Sequence, residues 1–290
     1  MSEDLSHLAT STAEQAMWSN DLRIDLVRMG FWISTAHTQR IHGKLEYLVS
    51  HPQKSYMPNL IVVGHSGSGK TRLIEEFLSL HPASENAEQE RSRIPVVYCE
   101  VPADPDLGGF YNQILVSMGA EPSRERVDAR RRRVEDTLGL VEAKLLIFDE
   151  SQHVLNAGPH LRRILASSIK SLSNQVKISI VLVGTREALT LLRLDPQIDR
   201  RFERDEIALW TLNQEWRRLL VTFERRLPLR KASRLSDQDV ARTLHRRSSG
   251  TIGRLARTLS EAAVMAIEDG TERITPEILD RVTTSGEDAE

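Results

Sequence analysis

The sequence has little of what stabilises small secreted proteins or anchors membrane proteins. Its 290 residues include one cysteine, Cys99, which excludes an intramolecular disulfide and a zinc site built from several cysteines. The longest unbroken apolar run, Ala262 to Ile267, is far shorter than the ~18 residues that span a bilayer. The opening MSEDLSHLAT lacks the basic and then apolar pattern of a signal peptide. We therefore predict a globular cytoplasmic protein without a membrane segment.

Net charge is also nearly absent, because 39 Lys and Arg face 41 Asp and Glu. The charges are nevertheless segregated along the chain. Residues 217–247 carry ten basic and three acidic side chains, whereas residues 268–290 carry eight acidic and two basic ones. The excess of arginine over lysine is explained more simply by codon usage in a GC-rich genome than by phosphate contacts. The basic stretch is a candidate surface for DNA, or for docking of a subunit or partner.

Short apolar runs alternate with helical segments over the first two thirds of the chain, a pattern typical of a parallel α/β domain. The predicted strands are Asn59–Val63, Pro95–Val101, Lys144–Phe148, Lys177–Val183 and Glu206–Trp210. Beyond them the pattern is helical, and Ser236 and Thr275 are predicted helix N-caps. The predicted fold class is α/β, with a five-stranded parallel sheet flanked by helices and followed by a small all-helical lid domain. Its predicted parts are a helical N-terminal extension (1–52), an α/β nucleotide-binding domain (53–211) and a lid with an acidic C-terminal tail (212–290).

Residues 64–71, GHSGSGKT, fit the phosphate-binding pattern G-x-x-x-x-G-K-[ST] between the strand LIVV and the helical stretch RLIEEFLSL. Glycines let the loop turn its backbone N–H groups toward phosphate, and a lysine reaches the β- and γ-phosphates. The hydroxyl of Thr71 is the expected Mg²⁺ ligand. The predicted nucleotide-contacting residues are Gly64, His65, Ser66, Gly67, Ser68, Gly69, Lys70 and Thr71.

The strand LLIF ends in two carboxylates, Asp149 and Glu150, the Walker B arrangement of P-loop enzymes. Asp149 would hold Mg²⁺ through water, and Glu150 would polarise the attacking water as general base. The second carboxylate and the lack of a guanine-reading N-K-x-D motif favour ATP over GTP. The run DESQH (149–153) resembles a DExH helicase box, but its spacing differs by one and no further helicase motif follows.

The order of these parts resembles the AAA+ ATPases. The resemblance places Thr185, after the predicted strand Lys177–Val183, at the family's sensor 1 position, although it could also cap a following helix. It also makes Arg201, in LDPQIDRRF, the best match to an arginine finger that acts on a neighbouring subunit's ATP. Arg200 and Arg204 are its rivals, and a salt-bridged arginine cluster is the alternative. A finger of this kind requires a homo-oligomer.

The family's sensor 2 arginine is matched less well. Gly253 holds the usual arginine position, and Arg254 follows one residue later, which rotates it about 100° around a helix. The resemblance makes Arg254 a candidate for contact with the γ-phosphate of the nucleotide. A packing or surface role is the alternative.

The stretches MPNLIVVGHSGSGKT, LLIFDESQHVL, RRFERDEIALW and SSGTIGRLARTLSEAAVMAI resemble the TniB family, AAA+ transposition regulators related to TnsC. The resemblance implies an ATP-dependent, largely sequence-independent binder of double-stranded DNA that forms rings or helical filaments. It also implies that the protein bridges a TniQ-like target-selection protein to a TniA-like DDE transposase, with hydrolysis limiting the assembly. A replication-initiator or helicase-loader ATPase and a slowly hydrolysing nucleotide-gated scaffold are the alternatives.

An arginine-rich segment before the Walker B strand is the first candidate DNA surface. If its helix starts near Ser123, Arg126, Arg130 and Arg133 share one face and could contact successive phosphates. Five acidic residues are interleaved with six arginines between positions 121 and 136. A solvated, self-paired helix face is therefore an equally good interpretation.

Overall fold

The computed structural model describes residues 4–86 and 91–282. The chain forms two compact units. The first comprises residues 1–33, 67–69 and 209–290, and the second comprises residues 34–66 and 70–208. The predicted acidic tail, with Glu287, Asp288 and Glu290, lies outside the described residues.

The helices and strands alternate through the second unit, and helices form the first. The helices are α1 (Thr10–Gln15), α2 (Asn20–Met29), α3 (Ala36–Ser50), α4 (Lys70–Leu80), α5 (Leu107–Ser117), α6 (Val127–Leu140), α7 (Pro159–Leu172), α8 (Leu189–Leu192), α9 (Pro196–Asp199), α10 (Gln214–Arg226), α11 (Gln238–Ser248), α12 (Ile252–Glu268) and α13 (Pro276–Arg281). The strands are β1 (Asn59–Gly64), β2 (Ser84–Asn86), β3 (Arg91–Arg93), β4 (Val96–Glu100), β5 (Leu145–Asp149), β6 (Ser179–Gly184) and β7 (Phe202–Ile207). No described helix is both long and apolar enough to cross a membrane.

The central sheet of the second unit is parallel and has the order β4-β5-β6-β1-β7. Strands β1, β5 and β6 are buried along their whole length, which explains their continuous apolar sequences. In the ladder Val63 pairs with Gly184, and Glu100 pairs with Asp149. The carboxyl ends of the inner strands therefore meet at one edge, where ligands bind in open α/β sheets. The predicted fold class is confirmed.

The fifth predicted strand, Glu206–Trp210, was placed too late in the sequence, because β7 runs over FERDEI. This edge strand buries Phe202, Asp205 and Ile207 and exposes charged residues between them, so its sequence does not form an apolar run. Asp205 is tolerated inside because Arg40 and Lys44 lie 2.6 Å from its carboxylate oxygens. The short antiparallel pair β2–β3 was not predicted from the sequence.

The first unit has its own apolar core. Trp216 on α10 is fully buried, and its indole N–H donates to the Ala241 carbonyl 3.0 Å away. Thr275 caps α13 as predicted, with its hydroxyl 3.3 Å from the Ile278 amide. The prediction for Ser236 was wrong, because α11 begins later and Asp237 occupies the N-cap position.

The N-terminal residues of the first unit pack against its C-terminal helices. Ile24, Val27 and Ile33 belong to the same apolar cluster as Trp216. Arg23 on α2 is completely buried and binds the Glu272 carboxylate through two 2.7 Å hydrogen bonds. This ion pair joins α2 to the segment after α12.

Candidate nucleotide site

The phosphate-binding loop follows β1 and leads into α4, as its sequence pattern predicts. Gly67 and Gly69 have φ angles of 72° and 87°, a left-handed conformation that glycine adopts without a steric cost. The Lys70 ammonium donates to the carbonyl oxygens of Gly64 and His65, each 3.0 Å away. The loop therefore curls around the amine of its own lysine.

Lys70 is buried, with 6% of its surface exposed. Burial lowers the pKa of its amine, although the negative charges of Glu150, Asp149 and Glu187 act in the opposite direction. Added negative charge near the amine favours its protonated form. A bound phosphate would supply such charge.

The two predicted Mg²⁺ ligands, Thr71 and Asp149, are in contact at the end of β5. The Asp149 carboxylate is 1% exposed, and Oδ2 accepts a hydrogen bond from the Thr71 hydroxyl at 2.9 Å. Oδ1 accepts from the Glu150 amide at 2.8 Å. The chain thus places a hydroxyl and a carboxylate side by side, at the start of α4.

These residues fit a magnesium ion that arrives with its nucleotide. Magnesium prefers oxygen ligands and is usually held by one or two carboxylates together with water and substrate phosphates. Within residues 4–86 and 91–282, no group of three or more His, Cys, Asp or Glu could hold a metal alone. The hydroxyl of Ser68, in the same loop, is buried and has no hydrogen-bond partner within the described chain, so it can accept or donate to a ligand.

Tyr98 is a site residue that sequence reasoning missed. Its hydroxyl donates to Asp149 Oδ2 across 3.1 Å from the neighbouring strand β4. Burial, and then the charge and hydrogen bond of Asp149, raise the pKa of Tyr98, so its hydroxyl keeps the proton that it donates. The only signal in the sequence was a phenolic hydroxyl that follows two valines in the strand VVYCE.

Glu150, the predicted general base, lies just after β5 in an unusual conformation. Its φ and ψ are 52° and 34°, which is left-handed and uncommon outside glycine. Its Oε2 accepts a hydrogen bond from the side-chain amide of Gln152, and the amide oxygen of Gln152 accepts from the Thr185 backbone N–H at 3.0 Å. The structure therefore connects the predicted base to the predicted sensor through Gln152, for which no role was predicted.

Thr185 follows β6 directly and precedes a short 3₁₀ turn, Arg186–Ala188. It occupies the N-cap position without a side-chain capping bond. A hydrogen bond from the Thr185 side chain lowers the pKa of Glu187. Thr185 thus stands at the N-cap position, as the capping alternative proposes, but its hydroxyl bonds to the Glu187 side chain and does not cap the turn.

The three candidate finger arginines have different surroundings. Arg201 is half-buried, donates to the Asn174 side chain at 2.6 Å, and lies 4.7 Å above the Tyr56 ring. Arg204 pairs with Asp199. Arg200 is exposed, and within the described residues its side chain forms no hydrogen bond or ion pair. Arg201 is thus engaged within its own chain, and Arg200 is free to reach another.

Gly253, within the first unit, lies too close to the backbone of Gly67 for any side chain to fit. Its amide donates to the Gly67 carbonyl at 2.8 Å, and a Cβ at this position would lie 2.7 Å from the same oxygen. Any side chain here would collide with backbone. Arg254 is exposed, with its guanidinium 3.5 Å from the Ser249 hydroxyl. Its role at the nucleotide stays a prediction.

A family model described as Bacterial TniB protein matches residues 23–212, which include the phosphate loop, Asp149, Glu150 and the arginine cluster. The chain belongs to the TniB family. Comparison with curated proteins gives no match for this TniB-family sequence.

Solved structures show that this TniB-family chain has the AAA+ fold. The Cdc6 protein of Pyrobaculum aerophilum is 16% identical, with a TM-score of 0.62 over 88% of this chain and 68% of that one. The ORC2 protein of Aeropyrum pernix in its ADP form is 18% identical, with a TM-score of 0.59 over 87% and 68%. The ORC1 protein of the same organism, in complex with DNA, is 15% identical, with a TM-score of 0.58 over 85% and 63%. The chain spans somewhat under two thirds of the ORC1 chain.

The arginine-rich segment of the TniB-family chain forms α6, which begins at Val127 rather than near Ser123. Arg126 is its N-cap residue and is exposed, as is Arg133. Arg130 is half-buried, and its Nε donates to the Glu125 carbonyl at 2.8 Å. Of the three arginines predicted to contact phosphate, Arg126 and Arg133 are therefore exposed to solvent, and Arg130 is partly occupied by its hydrogen bond to Glu125.

The second basic surface lies on α10 and α11 of the first unit. It contains an open groove of about 870 Å³. The groove is lined by three arginines, Arg217, Arg218 and Arg242, together with apolar and uncharged polar residues. Both basic surfaces thus remain candidates for polyanion contact.

Proposed function

We propose that this TniB-family protein is an ATPase that binds ATP with Mg²⁺, assembles as a homo-oligomer on double-stranded DNA, and recruits or activates a DDE transposase. The observation that carries the proposal is the 2.9 Å contact between Thr71 and Asp149 beside the phosphate loop. It juxtaposes the two residue types that hold magnesium in P-loop NTPases.

Each residue of the site then has a part in hydrolysis. Lys70 would bind the β- and γ-phosphates, and Thr71 and Asp149 would hold the magnesium ion. When bound, magnesium neutralises charge that develops on the phosphates. Glu150 accepts the proton of the attacking water, and Thr185 orients that water.

The remaining charge on the transferred phosphoryl group calls for an arginine from a neighbouring subunit. Among the predicted candidates we assign this part to Arg200, because Arg201 is held by Asn174 and Tyr56 and Arg204 by Asp199. The proposal thereby keeps the arginine finger in the predicted cluster but assigns it to Arg200 instead of Arg201. It makes the complete active site a property of the oligomer.

DNA contact is proposed through exposed arginines, chiefly Arg126 and Arg133 with a share from Arg130. Contacts from arginine to phosphate give binding that depends little on sequence and strongly on salt. The similar ORC1 structure is a complex with DNA, which supports a DNA-related role. Membership of the TniB family supports a TniQ-like target-selection protein and a TniA-like transposase as partners.

A replication-initiator or helicase-loader role is the second candidate. The likeness to Cdc6 and ORC proteins favours it. At 18% identity or less that likeness extends only to the fold. We prefer the transposition role because the family model covers the site itself.

The proposed ATPase is tested with Glu150→Gln, measured for ATP hydrolysis, ATP affinity and retention on a duplex. Loss of the base should lower the hydrolysis rate by about 10²- to 10⁴-fold, while ATP affinity stays near that of the wild type and the oligomer stays on DNA. Glu100→Gln is the matched control, because Glu100 is exposed at the end of β4, opposite Asp149 in the ladder. Normal turnover in Glu150→Gln, or equal loss in both variants, would remove Glu150 as the base.

A further inference from the structure

Gln152 links two parts of the candidate site that the sequence keeps 35 positions apart. It lies in the 3₁₀ turn Ser151–Asn156 that follows β5. One end of its amide contacts the Glu150 carboxylate, and the other end contacts the backbone of Thr185 after β6. The contact joins the proposed general base to the proposed phosphate sensor.

The chemistry of its partners fixes the orientation of this amide. A backbone N–H can only donate, so the oxygen of Gln152 must face Thr185. The NH₂ group then faces Glu150 and donates to its carboxylate oxygen. A glutamine satisfies both partners at once, whereas a glutamate of the same length would satisfy Thr185 and repel Glu150.

The space around Gln152 is shaped to hold it. A Cβ on Gly184 would lie 2.4 Å from the amide oxygen of Gln152 and 2.9 Å from the Ser151 hydroxyl. That hydroxyl is itself fixed by donating to the Val183 carbonyl at 2.8 Å. Glycine at the end of β6 therefore leaves the room that the bridge occupies.

Glu150 has a left-handed backbone conformation that the hydrogen bond from Gln152 helps to hold. A left-handed conformation is strained for a residue other than glycine, and it persists where the surroundings over-determine it. Here the Glu150 amide is held by Asp149, and its carboxylate is held by Gln152. Both ends of the residue are thus fixed in the conformation that presents the base.

We infer that Gln152 is a positioning residue for ATP hydrolysis. Its side chain holds the Glu150 carboxylate and links the position of that carboxylate to the backbone at Thr185. The inference rests on the proposed ATPase function and adds a residue to it. A shift of the strand end at Thr185 on contact with a terminal phosphate would be transmitted to the base through the amide. Gln152 does not itself touch the reacting atoms.

Two variants separate positioning from packing. Gln152→Met keeps the length and bulk of the side chain and removes both hydrogen bonds, whereas Gln152→Glu keeps the acceptor for Thr185 and replaces the donor to Glu150 by a like charge. We expect kcat for ATP to fall about 10- to 100-fold in Gln152→Met, the scale of a misplaced catalytic group, with KM changed less than threefold. In Gln152→Glu kcat should fall at least as far, because a second carboxylate cannot donate to Glu150 and repels it.

A second measurement needs no nucleotide. Amide hydrogen exchange at Thr185, followed by NMR, should be at least about tenfold faster in Gln152→Met than in the wild type, and near the wild-type rate in Gln152→Glu, because only the first loses the acceptor. If the wild type hydrolyses ATP, unchanged amide exchange in Gln152→Met, or an unchanged or raised kcat in that variant, would overturn the inference. Neither result would contradict the proposed ATPase function. A wild-type chain that binds ATP but never hydrolyses it would overturn the proposed function, and the positioning role with it.

Discussion

Replacing Glu272 by glutamine should destabilise the first unit strongly, because it uncouples a buried ion pair. The Arg23 side chain is 0% exposed and that of Glu272 is 11% exposed. Besides its two bonds to this carboxylate, the guanidinium donates to the Pro228 carbonyl at 3.1 Å and to the Asn20 side chain at 2.8 Å. None of these remaining partners carries a negative charge.

The expected loss follows from that burial. Removing one partner of a buried pair leaves an uncompensated charge and costs about 3–5 kcal/mol. The amide oxygen of a glutamine can still accept one hydrogen bond, so we expect about 3 kcal/mol for Glu272→Gln. Asp280→Asn is the control, because Asp280 is 78% exposed in its pair with Arg247, and such pairs contribute about 0–1 kcal/mol.

The effect should also depend on pH. Burial would raise the pKa of Glu272, but the hydrogen bonds from Arg23 and from the Arg230 amide outweigh it and lower that pKa. A depressed folded-state pKa contributes stability at pH values above the unfolded-state pKa of about 4.3, and this contribution is lost as pH falls through the folded-state pKa. The difference between wild type and variant should therefore be constant near neutrality and shrink in acid below ~4.

Urea unfolding followed by tryptophan fluorescence measures the loss in the free energy of unfolding of the first unit. All four tryptophans of the chain, Trp18, Trp32, Trp210 and Trp216, lie in the first unit. A loss below about 1 kcal/mol at pH 7, or a full loss that persists in acid, would refute the reasoning about this pair.

Three further predictions concern the site and its partners. Lys70→Ala should abolish binding of a fluorescent ATP analogue, since it removes the buried ammonium of the phosphate loop; wild-type affinity would contradict that role. Arg200→Ala should lower hydrolysis by about 10³-fold at near-normal ATP affinity, whereas Arg201→Ala should chiefly lower the melting temperature; the reverse result would restore Arg201 as the finger. The double substitution of Arg126 and Arg133 by alanine should reduce the slope of log binding constant against log salt for a duplex by about 2, and an unchanged slope would exclude these arginines from the interface.

The sequence predicted those parts of the site that depend on local spacing. The phosphate loop and the Asp149–Glu150 pair are contiguous motifs, and the adjacent strands are long apolar runs. The structure brings Thr71 and Asp149 into contact because Asp149 ends β5 and Thr71 comes after β1, and both strands lie inside one parallel sheet. That contact could be predicted once the strand order of P-loop proteins was assumed.

Contacts between side chains of different strands could not be predicted. Tyr98 and Gln152 reach the site across the sheet, and no periodicity in one segment reveals a partner in another. The shift of β7 has a similar cause, because Asp205 is buried only through Arg40 and Lys44, which lie far away in the sequence. The role of Gly253 likewise depends on the backbone oxygen of Gly67.

The central claim is that ATP controls a DNA-binding assembly. Its most direct test is fluorescence anisotropy of an arbitrary labelled duplex titrated with the protein, with a non-hydrolysable ATP analogue, with ADP and without nucleotide, at low and moderate salt. We predict tight binding only with the analogue, weakened steeply by salt. Binding that ignores the nucleotide, or no binding in any state, would contradict the claim.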